Sequence, residues 1–254
     1  MSAPVAIVVG GTGGVGSLVV LGLARAGHDI ALVFHQAAAK AEALRAEVET
    51  LGRRCLALQA DASDPAAVDA LVGQIRAEFG RIDVLVNTQG CTGALRPIQE
   101  ISLPDLRRTV DVELMSVLYC CRAVLPQMIG QERGRIVTIG SDAGKVGSSA
   151  EAASAAARGG VIALSKGLAR EVARHGVTVN VVCPGPIATE LFAENAGTGN
   201  LSDKLSAAMV RATPMKRLAR PEEVADLVLY LATGSGAAFV TGQALSINGG
   251  LNMC

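Results

Sequence analysis

Seven short apolar runs constrain this chain more than any other feature. They are VAIVV (5–9), DIALVF (29–34), CLALQ (55–59), DVLVN (83–87), RIVTIG (135–140), VTVNVV (177–182) and ALSIN (244–248). Most lack the apolar–polar alternation of a strand with one wet face, so they read as strands buried on both faces. Ala-rich stretches of helical pattern lie between them, which predicts a parallel sheet with right-handed crossovers. The punctuation agrees. Pro65 and Pro221 stand where a first helical residue belongs, and Glu222 and Glu223 follow in a first turn, where negative charge suits the helix dipole. Gly27, Gly52, Gly80 and Gly176 each follow a helical pattern, as stops do.

With 254 residues, half of them hydrophobic, the chain suffices for one large α/β domain. The expected architecture is a single doubly wound, Rossmann-like domain over residues 1–254, with about seven parallel strands and helices on both faces. Only residues 188–215 are irregular, and they read as a flap with a short helix or two.

Lysines plus arginines equal aspartates plus glutamates, 23 each, which argues against a nucleic-acid or polybasic membrane partner. The N-terminus has no basic region of a signal peptide, and no apolar stretch is expected to span a membrane. The six cysteines form no CxxC pair and there are three histidines, so no metal site is expected. Reduced thiols in a cytoplasmic protein are the plain expectation. Cys91 and Cys183, near strand ends, are the two that could face a pocket.

Between the first strand and the first predicted helix lies VGGTGGVG, Val9 to Gly16. Glycines there permit a tight turn and let the backbone approach a pyrophosphate in front of a helix N-terminus. The ribose determinant is weaker. The end of the second strand reads FHQAAAK, with neither the acid of an NAD site nor the arginine of an NADP site, leaving His35, Gln36 and Lys40.

At this point the chain resembles the short-chain dehydrogenase/reductase family, most closely its 3-oxoacyl-acyl-carrier-protein reductase-like branch, over essentially its whole length. The family's TGxxxGxG looks like Val9-Gly10…Gly14-Val15-Gly16. Its adenine-side Asp looks like Asp61 in QADASD. Its NNAG looks like Asn87-Thr88-Gln89-Gly90, and its PG motif is intact in CPGPIATE, at Pro184, Gly185 and Ile187. The tail FVTGQALSINGG is similar to the family's last strand and packing segment. The resemblance implies NADP or NAD as cofactor, held by Gly10, Gly14, Val15, Gly16, His35, Gln36, Asp61, Asn87, Gly90, Pro184, Gly185 and Ile187.

The resemblance also implies a catalytic Asn, Ser, Tyr and Lys. The serine aligns with Ser141, the YxxxK motif with Ser154-Ala-Ala-Ala-Arg158, and the Asn with Glu113. An aliphatic hydroxyl is a far weaker acid than a phenol of pKa about 10, and arginine does not carry protons. Residues four apart share a helix face, so Ser154 and Arg158 are expected to point together into the site, with Glu113 pairing Arg158. Gln89 is expected beside the cofactor path, and Gly13 stands where NADP-using relatives often carry a basic residue. Asp142 and Lys145, flanking Ser141, read as a solvated loop. Of the two tyrosines, Tyr119 is placed on a helix that packs a partner and Tyr230 in the core.

Three readings stand at this level. The first is a non-catalytic or weakly active subunit that assembles with itself, as dimer or tetramer, or with an active ketoreductase. The second is an atypical NAD(P)H-dependent reductase of a polyketide or acyl-carrier-bound ketone, using Ser141 and Arg158. The third is a cofactor-free binder or enzyme for an acidic ligand at Arg158. Weak or absent cofactor binding is expected from Gln36, Gln89 and Arg158.

Overall fold

The computed structural model describes residues 2–90, 95–190 and 200–254, and only the backbone of 200–203 and 205. Seven parallel strands form one sheet, in the order β3-β2-β1-β4-β5-β6-β7. They are β1 (Val5–Val9), β2 (Asp29–Phe34), β3 (Cys55–Gln59), β4 (Val84–Asn87), β5 (Gly134–Ile139), β6 (Val177–Pro184) and β7 (Ala244–Ile247). Each coincides with a predicted run to within two residues. The edge strands β3 and β7 are half-buried rather than buried, because each has one open flank.

Alternate side chains of each inner strand enter opposite layers. Val5, Ile7 and Val9 face α3 (Pro65–Phe79), α4 (Leu103–Gly130) and α6 (Ala152–Val172). Ala6 and Val8 face α1 (Gly14–Arg25), α2 (Ala38–Thr50) and α8 (Pro221–Thr233). The one-turn α5 (Ala143–Val146) follows β5, and α7 (Asn200–Ala212) lies within the expected flap. The strand order reverses between β1 and β4, and a crevice at the carboxyl ends of the strands opens there, where such sheets take ligands.

Local chemistry explains the boundaries. Asp64 caps α3 by accepting from the Ala66 amide, with Pro65 next. Glu223 closes a capping box on the Arg220 amide at the start of α8. Gly27, Gly52, Gly80 and Gly176 all adopt the positive φ expected of helix stops.

Some expectations need correction. The helix Leu103–Gly130 is long and apolar enough to cross a bilayer by length and composition. Here Val117, Cys120, Cys121, Val124 and Met128 on it pack into the core. Its apolarity follows from a central position against the sheet. Tyr230 is half-exposed on the outer side of α8 rather than in the core. Asp142 is buried, for reasons given below.

Candidate active site

A cleft of about 1190 Å³ runs along the carboxyl ends of the strands. The glycine loop forms one side of it. Gly10 and Gly11 donate their amides to Val33 O, and Gly13 donates to Gly10 O, which folds the loop back on β2. The Thr88 hydroxyl, 2.8 Å from Val9 O and 3.0 Å from Gly10 O, ties the loop to the end of β4. A Cβ on Gly16 would stand 2.3 Å from Gly10 O, so only glycine fits there. Helix α1 then begins behind Gly13 with no side-chain cap. Its first amides are left for an anion, and the helix dipole favours one. This end of the cleft fits a pyrophosphate.

Gly10, Gly14, Val15, Gly16, His35, Gln36, Asp61, Gly90, Pro184, Gly185 and Ile187 all line the cleft. Asp61 accepts from the Ser63 hydroxyl at 2.6 Å and its amide at 2.9 Å, and these bonds, the hydroxyl first, hold its carboxyl below the usual range. Asn87 does not reach the cleft. It is buried at the top of β4 and donates to Thr138 Oγ1 at 3.1 Å. Lys40 lies outside too, in an exposed pair with Glu190 at 3.0 Å.

At the other end, β5 delivers Ser141, whose Oγ accepts from the Ala143 amide at 3.1 Å and lines the cleft. Arg158, from α6, also lines it. Its Nε lies 3.2 Å from Glu113 Oε2, and both side chains are under a tenth exposed. Nη1 donates to Ile139 O at 2.7 Å and Nη2 to Gln89 O at 3.2 Å. Ser154 is on the same face but does not line the cleft. Its short side chain turns aside and donates to Glu113 Oε2 at 2.6 Å. Glu113 is buried and lies in Asp111–Met115, a stretch of α4 wound as a π-helix, a distortion that often marks functional sites. Gln89 donates Nε2 to Ser116 Oγ at 2.8 Å, while its buried Oε1 has no hydrogen-bond partner among the described residues.

Several residues of the site were not anticipated. Thr12, Ser63, Arg107, Arg108, Leu251 and Asn252 line the cleft. Arg107 and Arg108 had a sequence signal in the polar start of α4, and Leu251 and Asn252 only their place after the NGG turn. Cys183 is buried and does not line the cleft, and burial pushes its thiol up to about 11, far from a reactive thiolate. Cys91 lies outside the described residues.

The family model described as Enoyl-(Acyl carrier protein) reductase matches residues 10–252. A 3-oxoacyl-[acyl-carrier-protein] reductase of a Synechocystis strain is 37% identical over 253 residues, covering 100% of this chain and 98% of that protein. The 3-oxoacyl-[acyl-carrier-protein] reductase FabG of Escherichia coli is 36% identical over 251 residues, covering 98% and 97%. Among solved structures, one from Serratia marcescens superposes with a TM-score of 0.89 at 35% identity, covering 99% of each chain.

Proposed function

We propose, from the premise that this chain belongs to the short-chain dehydrogenase/reductase family, that it is a ketoreductase-like member with a disabled proton relay. It serves as a non-catalytic or weakly active subunit, assembling with itself or with an active ketoreductase. One observation carries this reading. The two side chains on the YxxxK positions, Ser154 and Arg158, both turn to Glu113. Neither offers a transferable proton at neutral pH to a carbonyl in the cleft, and the phenol that would is absent.

Family membership implies a nicotinamide dinucleotide in this cleft. Gly10, Gly14, Val15 and Gly16 would hold its pyrophosphate, and when bound it supplies a hydride. Binding is proposed to be weak, because His35 and Gln36 replace the acid or arginine that fixes the adenosine ribose. At the other end Arg158 directs its Nη atoms to Ile139 O and Gln89 O instead.

The intact glycine loop and Ser141 in the cleft favour the second reading, an atypical reductase in which Ser141 polarises the carbonyl and water supplies the proton. An acidic ligand at Arg158 is disfavoured, since Glu113 already neutralises that cation.

Titration with NADH and NADPH, then an assay of hydride transfer to an acetoacetyl thioester, tests the proposal. Weak binding and no turnover support it; tight binding with turnover overturns it. The triple variant Glu113→Asn/Ser154→Tyr/Arg158→Lys is expected to raise turnover ~10²–10⁴-fold, the usual worth of general acid–base catalysis.

A further inference from the structure

Asp142 follows Ser141 directly, yet its side chain points away from solvent. It is 2% exposed. Its Oδ1 accepts from Ser246 Oγ at 2.8 Å, and its Oδ2 accepts from Asn248 Nδ2 at 2.7 Å and Asn252 Nδ2 at 2.6 Å. Three donors thus converge on one buried carboxylate, all from β7 and the segment after it. Lys145 adds a cation at the edge, donating to Ser246 Oγ at 2.8 Å and to Cys254 O at 3.3 Å.

The segment so held is part of the cleft. Leu251 and Asn252 line it. The turn before them is internally tied, with the Gly250 amide donating to Asn248 Oδ1 and the Leu251 amide to Asn248 O. On its far side Met215 N donates to Gly249 O, fastening the same turn to the end of the flap region. Bonds to a charged acceptor are about twice as strong as neutral ones, and the buried carboxylate depends on all three donors for its solvation.

We infer that Asp142 is a positioning residue. Its carboxylate clasps residues 246–252, so that Leu251 and Asn252 form a fixed wall of the cleft rather than a lid. Asn252 is engaged by Asp142, so the wall presents mainly the apolar side chain of Leu251, in a cleft that Met209 and Val146 also line. The ligand class that this wall suits is a neutral acyl group, a point that rests on the ketoreductase-like reading; the clasp itself does not.

Hydrogen–deuterium exchange of the peptide spanning 244–254 tests the clasp on the full chain. Asp142→Asn places an amide against two amides and is expected to speed exchange of that peptide at least tenfold. Asp142→Asn/Asn252→Asp restores a complementary carboxylate–amide pair and is expected to return it to within threefold of the parent. Unchanged exchange in Asp142→Asn, or no recovery in the swapped pair, overturns the inference. If Asp142→Asn loses cooperative melting, Asn252→Ala carries the test, with an expected threefold acceleration; parent-like exchange in it counts against the clasp. Calorimetry with an acetoacetyl thioester separates the two ideas. Binding at least fivefold weaker in Asp142→Asn, recovered in the swap, supports the wall. No binding even to the parent removes the ketoreductase-like reading and leaves exchange to decide the clasp.

Discussion

The two ends of the cleft are built by different means. The glycine-loop end is a backbone device. Its shape depends on carbonyls and amides within reach of one another, and a Cβ on Gly16 would collide with Gly10 O. The α6 end is a side-chain device. Its helix holds Ser154 and Arg158 one turn apart, but the groups they present close on Glu113. Backbone geometry tolerates almost no substitution, whereas a side-chain site can exchange its chemistry while the scaffold stays.

Substitution separates the two ends most sharply at the buried pair. Glu113→Ala leaves Arg158 as an uncompensated buried charge and is expected to cost ~3–5 kcal/mol in urea unfolding. Glu113→Leu/Arg158→Met removes both charges and is expected to lie within ~1–2 kcal/mol of the parent, as replaced buried pairs often do. A Glu113→Ala loss under 1 kcal/mol would mean that the pair is not desolvated.

At the other end, Gly16→Ala is expected to cost ~1–3 kcal/mol by overpacking and to abolish nucleotide binding. Gly13→Ala, whose Cβ would meet Gly10 O at 3.3 Å, should be milder in both respects. Equal effects of the two substitutions would show that the loop adapts.

A third measurement concerns neither end. His28, just before β2 at the amino ends of the strands, has its pKa lowered, first by desolvation. The unfolded chain therefore takes up that proton more readily. Stability from the neutral imidazole is full above about pH 6.5 and declines as pH falls through that value towards the folded pKa. In His28→Leu the slope of unfolding free energy between pH 7.5 and 5 should flatten; an unchanged slope would exonerate this residue.

The smallest effect is expected at Lys40. It and Glu190 are both more than half exposed, so Lys40→Ala should change stability by less than ~0.5 kcal/mol. Its nucleotide affinity should stay within twofold of the parent, and a larger loss would place Lys40 at the ribose.

The fold was legible because strand burial writes itself into composition. VAIVV and DIALVF have no polar alternation since both faces are covered, and Pro65 and Pro221 announce the helices they begin. The glycine loop was legible for the same reason that it is rigid. The pairing of Glu113 with Arg158 was readable from charge type once the family resemblance had put both positions at the site. That Ser154 leaves the cleft was not, since helix periodicity gives the direction of Cβ but not the rotamer a short hydroxyl takes beside a carboxylate. Asp142 misled most. An acid flanking a loop serine has the composition of a solvated turn, and its partners lie over 100 residues away. Tyr230 failed in the opposite sense, an aromatic in an apolar helix that faces outward.

The long reach of the Asp142 clasp has a consequence for the order in which the molecule is made. A ribosome releases Asp142 more than a hundred residues before its three donors exist. Until residue 252 emerges, Asp142 lacks the donors that hold it in the folded chain, and the cleft lacks one of its walls. Parallel sheets assemble slowly, and unfinished edges attract other chains. The strand that ends the sheet thus also brings the wall that finishes the pocket, and neither is complete without the other.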